Sequence, residues 1–275
     1  MNKRKILFSD LDATLLNDKK EIEPHTRKAI EKMRKQGHIF AICTGRPLSS
    51  AKAVARQFRL DQKGCFIVAY NGGVIYDPAS GNIISYESIP LPVVQRMFKE
   101  AEKAGLYIHT YDRKTDTVMT YQRTPELETY IGHTKLPPKV GPDILLNLTD
   151  EPAKMIVICL TDNQRLQQFQ EMNAEWSKNI LNSFFSCEQY LEYCPAGVSK
   201  GAAVQKLCTY LNIPIEQSVA TGDERNDISM LEMAGIGVAP ANAFHLAKAS
   251  ADDVCVKDNN EGAVGEIIQK YILQP

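Results

Sequence analysis

Short runs that are apolar at every position alternate with amphipathic stretches over much of this chain. Residues 6–8, 39–43 and 65–69 are such runs. They read as strands buried on both faces. Between them, residues 24–36 read as a helix, with Pro24 in its first turn and Gly37 at its stop. Residues 47–58 read as a second helix. The last third repeats the logic, with helices over 199–211, 226–233, 243–249 and 261–273 and strands over 218–221, 235–239 and 253–256. Ser199 is placed to cap the first of these helices. Continuous apolar strands separated by helices predict a doubly wound, Rossmann-like parallel sheet, an α/β core.

The middle of the chain follows another pattern. A hairpin is expected from strands over 74–76 and 83–87 around Pro78 and Gly81. Helices over 91–104 and 162–176 then mix with strands near 106–111, 117–121, 154–160, 180–186 and 190–193, and Leu136-Pro137-Pro138 reads as a loop. This predicts a separate α+β unit over 84–193, inserted into a core made of 1–83 and 194–275. The length of 275 residues agrees, since about 150 residues per domain gives about two domains.

Charge and cysteine content narrow the setting. Lys plus Arg is 32 and Asp plus Glu is 33, a net charge of −1. No basic surface is on offer, so nucleic acid is not an expected partner. Seven cysteines are scattered, odd in number and never paired as CxxC, which fits reduced thiols in a cytoplasmic protein. No run approaches the roughly 20 apolar residues of a membrane helix, so no membrane partner is expected. Nothing in the sequence speaks to oligomeric state.

Candidate chemistry gathers at four strand ends. Asp10-Leu11-Asp12-Ala13-Thr14 follows the first strand and Thr44-Gly45-Arg46 the second. Lys200-Gly201 opens a helix, and Gly222-Asp223-Glu224-Arg225-Asn226-Asp227 follows the strand at 218–221. In open parallel sheets ligands bind outside the carboxyl ends of the strands, so all four can meet in one crevice. There Asp10, Asp12, Asp223 and Asp227 would face a single cation, Lys200. Like charges raise each other's pKa, and a divalent cation would resolve the excess. With oxygen ligands and no grouped Cys or His, Mg²⁺ is favoured over zinc, and it points to a phosphorylated substrate.

Roles follow from that chemistry. Asp10 is the expected nucleophile, forming an aspartyl-phosphate, and Asp12 the general acid/base. Thr44, Lys200 and the backbone N–H groups of Leu11 and Gly45 would hold the phosphoryl oxygens. Asp223 would complete the metal's shell. Arg46 either touches substrate or pairs with a nearby carboxylate. The histidines are unclustered, although His109, Tyr111 and Tyr121 are positions that could face a crevice.

These motifs, in this order and spacing, resemble those of the haloacid dehalogenase-like phosphohydrolases, and within them the Cof-type sugar-phosphate phosphatases. The resemblance spans the chain and includes Tyr70-Asn71-Gly72-Gly73 and Gly235-Ile236-Gly237-Val238-Ala239. The middle unit is similar to their type-II cap, which shuts over the substrate. The resemblance implies that Asp10 is nucleophile and metal ligand and that Asp12 adds its backbone carbonyl to the metal. It also implies that Thr44, Lys200 and Asn226 bind the phosphate. Asp223 would bind Mg²⁺, with Asp227 behind it or reaching it through water. Two departures stand out. Ala13 replaces the usual glycine, which costs on the order of 1 kcal/mol if φ is positive there and nothing if it is negative. Pro240-Ala241 replaces Met-Gly before Asn242-Ala243, removing a backbone donor.

The expected function is a Mg²⁺-dependent phosphatase of a small phosphorylated metabolite, with sugar phosphates foremost. A phosphomutase is the alternative. It would need cations for a second phosphate, for which Arg113, Lys114 and Arg123 are candidates. A non-catalytic phosphate sensor ranks behind both, because Asp12 supplies the acid/base that a persistent aspartyl-phosphate must lack.

Overall fold

Three apolar runs near the start of the chain lie side by side as β1 (Ile6–Ser9), β2 (Ile39–Cys43) and β3 (Cys65–Ala69), joined by α1 (Pro24–Lys35) and α2 (Leu48–Gln57). The structure, a computed structural model, describes residues 4–274. All three strands are buried along their whole length, as continuous apolar runs require. β3 turns back into β4 (Val74–Asp77), which pairs with it antiparallel, and β5 (Asn82–Tyr86) forms the sheet edge. The Asp77 carbonyl accepts from the Gly81 amide and closes the expected turn.

A second sheet follows, with α3 (Leu91–Lys103), β6 (Tyr107–Tyr111), β7 (Val118–Thr120), α4 (Pro125–Thr134), β8 (Pro138–Val140), β9 (Met155–Ile158), α5 (Asn163–Ser177), β10 (Leu181–Cys187) and β11 (Tyr190–Pro195). Its order is β10-β11-β9-β6-β7-β8, antiparallel except for the β7–β8 pair. Val94, Met97 and Phe98 of α3 and Leu166 and Phe169 of α5 bury one face against Ile108, Val157 and Leu191. The other face carries His109, Ile156 and Glu192, since side chains alternate along a strand. There Tyr130 of α4 stacks 4.4 Å from His109 and 6.0 Å from Tyr190, ring to ring.

The chain then resumes the first sheet with α6 (Lys200–Tyr210), β12 (Ser218–Thr221), α7 (Ile228–Met233), β13 (Ile236–Ala239), α8 (His245–Ala249), β14 (Asp253–Val254) and α9 (Ala263–Ile267). Six strands in the order β14-β13-β12-β1-β2-β3 are all parallel. Strand order reverses between β1 and β12, and ligands bind at such a switch point. The fold is thus an α/β doubly wound core with a second, α+β unit. One compact unit runs up to Ser85 and again from Ser199; the other is Tyr86–Val198.

Several elements depart from the sequence reading. α4 was not expected: only Leu127 and Tyr130 are buried, too few to print a helical period. Its start was signalled only by Thr124, which accepts from the Leu127 amide at 3.3 Å, and by Pro125 in the first turn. The Pro-rich loop holds β8, a three-residue edge strand, where proline is tolerated. β11 pairs with β10 as far as Pro195, which carries this sheet beyond residue 193. At the C-terminus, Asp258 and Glu261 close a capping box, Gly262 turns left-handed, and a helix begins only at Ala263. It widens into a π turn over Ile268–Ile272. Among the described residues no helix is long and apolar enough to cross a membrane.

Lys154 and Glu192 meet at 2.9 Å with both side chains buried. Removing one partner of such a pair leaves an uncompensated charge and costs about 3–5 kcal/mol. Glu192→Ala should lower the unfolding free energy by about that much in a denaturant titration. Lys154→Met combined with Glu192→Leu should lower it far less, because both charges leave together.

Candidate active site

β1 ends at Ser9, and the Asp10 amide still donates to the Thr221 carbonyl of β12 at 2.9 Å. In a continuing strand Asp10 and Asp12 would share one face. The chain curls instead, Ala13 adopting a left-handed φ of 58°, and the two carboxylates meet different neighbours. Asp10 is buried and its Oδ1 accepts from Lys200 Nζ at 2.5 Å. Asp12 is 40% exposed and held by two cations. Arg46 grips it in a two-pronged pair, Nε to Oδ2 at 2.7 Å and Nη2 to Oδ1 at 2.6 Å, and Lys20 Nζ lies 2.9 Å from Oδ1. Of its two expected roles, Arg46 shows pairing with a carboxylate.

Lys200 opens α6 behind the Ser199 cap, whose side chain accepts from the Ala202 amide at 3.0 Å. Its ammonium is fully enclosed and also reaches Asp227 Oδ1 at 2.5 Å. Asp227 folds back on its own loop, Oδ2 accepting the amides of Asp223 at 3.0 Å and Glu224 at 2.9 Å. Only glycine fits at 222, because a Cβ there would fall 2.3 Å from Asp227 Cγ. Thr14 donates to Asp223 Oδ1 at 2.5 Å. The side chain of Asn242 donates to the Ala13 carbonyl at 2.8 Å, so the Pro240-Ala241 departure leaves this tie in place.

Asp10, Asp223 and Asp227 each bring a carboxylate oxygen within 4.8 Å of the other two. Three buried carboxylates share the one ammonium of Lys200, and their titration reflects the imbalance. Burial, then the Asp227 and Asp223 charges, raises Asp10 well above the usual carboxylate value, although Lys200 opposes this. Burial and Asp227 push Asp223 up to about 7. Burial disfavours the Lys200 ammonium, but Asp10 and Asp227 outweigh it and hold the lysine above its usual value. At Asp12 burial also pushes upward, but the hydrogen bonds and charges of Arg46 and Lys20 win and lower it. An all-oxygen, doubly overcharged donor set suits a hard divalent cation. The Asp12 carboxylate is not part of this group.

Thr44 is buried at the end of β2, its amide donating to Val68 at 2.8 Å and its Oγ1 accepting from the Arg46 amide at 3.2 Å. Leu11 is buried and its carbonyl accepts from the Leu16 amide at 2.8 Å. The Asn226 side chain donates to Asn71 Oδ1 at 3.0 Å, and Asn71 Oδ1 lies 3.0 Å from where a Cβ on Gly45 would sit. Cys43 is buried and its thiol is pushed up by that burial, so it offers no nucleophile. Three contacts were not anticipated from the sequence: Lys20, Thr14 and Asn71. The last two lie inside quoted motifs, so spacing flagged the segments without assigning the side chains. Lys20 had no signal, since a lysine in a polar turn is unremarkable.

The residues weighed in the second unit are engaged there. His109 and Tyr111 are buried, with His109 Nε2 3.0 Å from the Tyr111 hydroxyl, which lies 2.5 Å from that of Tyr130. Burial and the Lys154 charge hold His109 well below its usual value, as a neutral ring. Tyr121 packs edge-on against Phe98, 5.2 Å between centroids. Lys114 pairs with Asp150 at 3.0 Å, Arg123 with Glu128 at 2.5 Å, and Arg113 lies 4.1 Å over the Tyr86 ring.

A family model described as haloacid dehalogenase-like hydrolase matches residues 7–268. The chain is 27% identical over 277 residues to 5-amino-6-(5-phospho-D-ribitylamino)uracil phosphatase of Bacillus subtilis, covering 97% of each. It is 27% identical over 281 residues to pyridoxal phosphate phosphatase of Escherichia coli, covering 98% of this chain and 99% of that one. Among solved structures, a haloacid dehalogenase-like hydrolase from Bacteroides thetaiotaomicron superposes with a TM-score of 0.87 at 30% identity, covering 98% of this chain and 99% of that chain.

The left-handed Ala13 sets a direct test. A Cβ in this region costs about 1–2 kcal/mol, part of which glycine forfeits through its freer unfolded state. Ala13→Gly should raise the unfolding free energy by up to about 1 kcal/mol with kcat/KM little changed. A large gain in activity would show that the alanine distorts the turn.

Proposed function

This chain belongs to the haloacid dehalogenase-like hydrolases and is a phosphatase, and on that premise we propose that it hydrolyses small phosphorylated metabolites, sugar phosphates foremost, through an aspartyl-phosphate on Asp10 with Mg²⁺. The observation that carries this reading is the contrast between two carboxylates of one motif. Asp10 is enclosed with Lys200, Asp223 and Asp227, while Asp12 stands half-exposed beside it.

In the proposed reaction Asp10 attacks phosphorus, the bond to the leaving oxygen breaks, and Asp12 gives that oxygen its proton. Water then attacks the acyl phosphate, Asp12 takes its proton, and inorganic phosphate leaves with the Asp10 carboxylate restored. Thr44, Lys200, Asn226 and the amides of Leu11 and Gly45 hold the phosphoryl oxygens as charge shifts among them. Arg46 belongs to the same group, because an anionic substrate competes with Asp12 for its guanidinium and so releases the acid/base. A Mg²⁺ held by Asp10, Asp223 and the Asp12 carbonyl, with Asp227 behind them, would neutralise the carboxylates and the incoming phosphate.

The relatives support a small substrate: one acts on a phosphoribityl compound and the other on pyridoxal phosphate. Substrate selection is assigned to the inserted unit, read as the cap. Six of the seven cysteines are buried, which suits a reducing cytoplasm. The candidate cations of the phosphomutase reading, Arg113, Lys114 and Arg123, contact Tyr86, Asp150 and Glu128 within their own unit, in exposed pairs that an anionic ligand could displace.

Phosphate release from a panel of phosphomonoesters, with Mg²⁺ and with EDTA, tests the proposal. Release should need the metal and disappear in Asp10→Asn. Asp12→Asn should lower kcat by about 10² to 10⁴, the usual worth of positioned proton transfer. Metal-independent release, or near-normal turnover by Asp10→Asn, would sink it. Isomerisation of sugar phosphates only when a bisphosphate is added would establish the mutase instead.

A further inference from the structure

Directly after β3 the backbone does something costly. Tyr70, Asn71 and Gly72 are left-handed in succession, with φ of 52°, 55° and 103°. Asparagine tolerates this region and glycine prefers it, but a tyrosine there is a true outlier. Strained backbone persists where surrounding contacts over-determine it, and it clusters at functional sites.

Several contacts that hold this turn lead to the candidate active site. The Tyr70 amide donates to the Arg46 carbonyl at 3.0 Å and the Asn71 amide to the Thr44 carbonyl at 3.0 Å. The Asn71 carboxamide packs on Gly45, so closely that a Cβ there would sit 3.0 Å from Oδ1. The same Oδ1 accepts from Asn226 Nδ2 at 3.0 Å. Gly72 presses on the start of α6, where an added Cβ would fall 2.3 Å from the Ser199 carbonyl, the residue before Lys200. One three-residue turn therefore touches the 44–46 loop, the Lys200 helix and the 222–227 loop.

From this geometry we infer that Asn71 is a positioning residue for phosphate binding. It locks the Thr44–Arg46 loop and the Asn226 amide into one register, so that donors from separate segments meet the same phosphoryl group. It touches no substrate itself. The strain at residues 70 and 71 is the consequence of placing a backbone amide and a side-chain oxygen within reach of two different loops at once. The inference rests on the proposed role of Thr44, Gly45 and Asn226 in holding phosphate.

Asn71→Gly separates positioning from folding, because glycine accepts the left-handed backbone and deletes only the carboxamide. With p-nitrophenyl phosphate as substrate, KM should rise about tenfold, the scale of one or two lost hydrogen bonds. The inhibition constant of inorganic phosphate should rise with it, while kcat falls less. Asn226→Ala should weaken phosphate in the same way. Adding it to Asn71→Gly should cost little more, since residues acting through one another are not additive. If Asn226→Ala weakens phosphate but Asn71→Gly does not, or if the two effects simply add, the positioning role is wrong and the phosphate site stands. A melting midpoint that falls with activity, at unchanged KM and inhibition constant, would reduce Asn71 to a structural residue. A silent Asn226→Ala would overturn the assignment of the phosphate site itself, and the inference with it.

Discussion

The ammonium of Lys200, enclosed between Asp10 and Asp227 at 2.5 Å from each, is the contact on which the rest of this structure turns. It joins the end of β1, the start of α6 and the loop after β12, which lie 190 and 27 residues apart in sequence. Burying one charge alone is prohibitive, and burying three like charges is worse. Lys200 makes the arrangement possible without balancing it, because Asp223 adds a third carboxylate to the same cluster. The doubly wound topology supplies the meeting place, since β1 lies between β2 and β12 at the point where strand order reverses.

The two aspartates of the first motif show what local backbone does to identical side chains. Enclosure raises Asp10, whereas Arg46 and Lys20 lower Asp12 against the pull of burial. The proposed chemistry needs the reverse, an ionised nucleophile and a protonated acid. A divalent cation at the enclosed cluster favours the Asp10 carboxylate, and an anionic substrate that draws Arg46 away favours protonation of Asp12. On this account the site converts to its reactive charge state only when metal and phosphate are both bound.

Much of this was legible in the sequence because the strands are short and bounded by motif residues. β2 and β3 span the residues their apolar runs marked, β12 spans 218–221 as read, and three of the four motifs follow strands of the parallel sheet while Lys200 opens α6. What escaped notice had weak local signals. α4 buries two side chains and so prints no period. The alanine at 13 could be read only as a condition on φ, and the condition falls on the strained side. Arg46 could not be assigned until its distance to Asp12 was known. Asn71 lay in a quoted motif, yet its role depends on a chain of contacts from Thr44 to Asn226 across 155 residues, and no spacing rule encodes that.

The most direct test of the central claim is a calorimetric titration of Mg²⁺ into the purified chain near pH 7, repeated in buffers of different ionisation heat. An overcharged carboxylate cluster predicts saturable binding of one ion per chain. Protons should be released as the ion enters, because Asp223, raised to about 7, is partly protonated before it binds. Asp223→Ala should abolish both signals. A wild-type chain that shows no saturable binding, or binding that survives Asp223→Ala unchanged, would contradict the account.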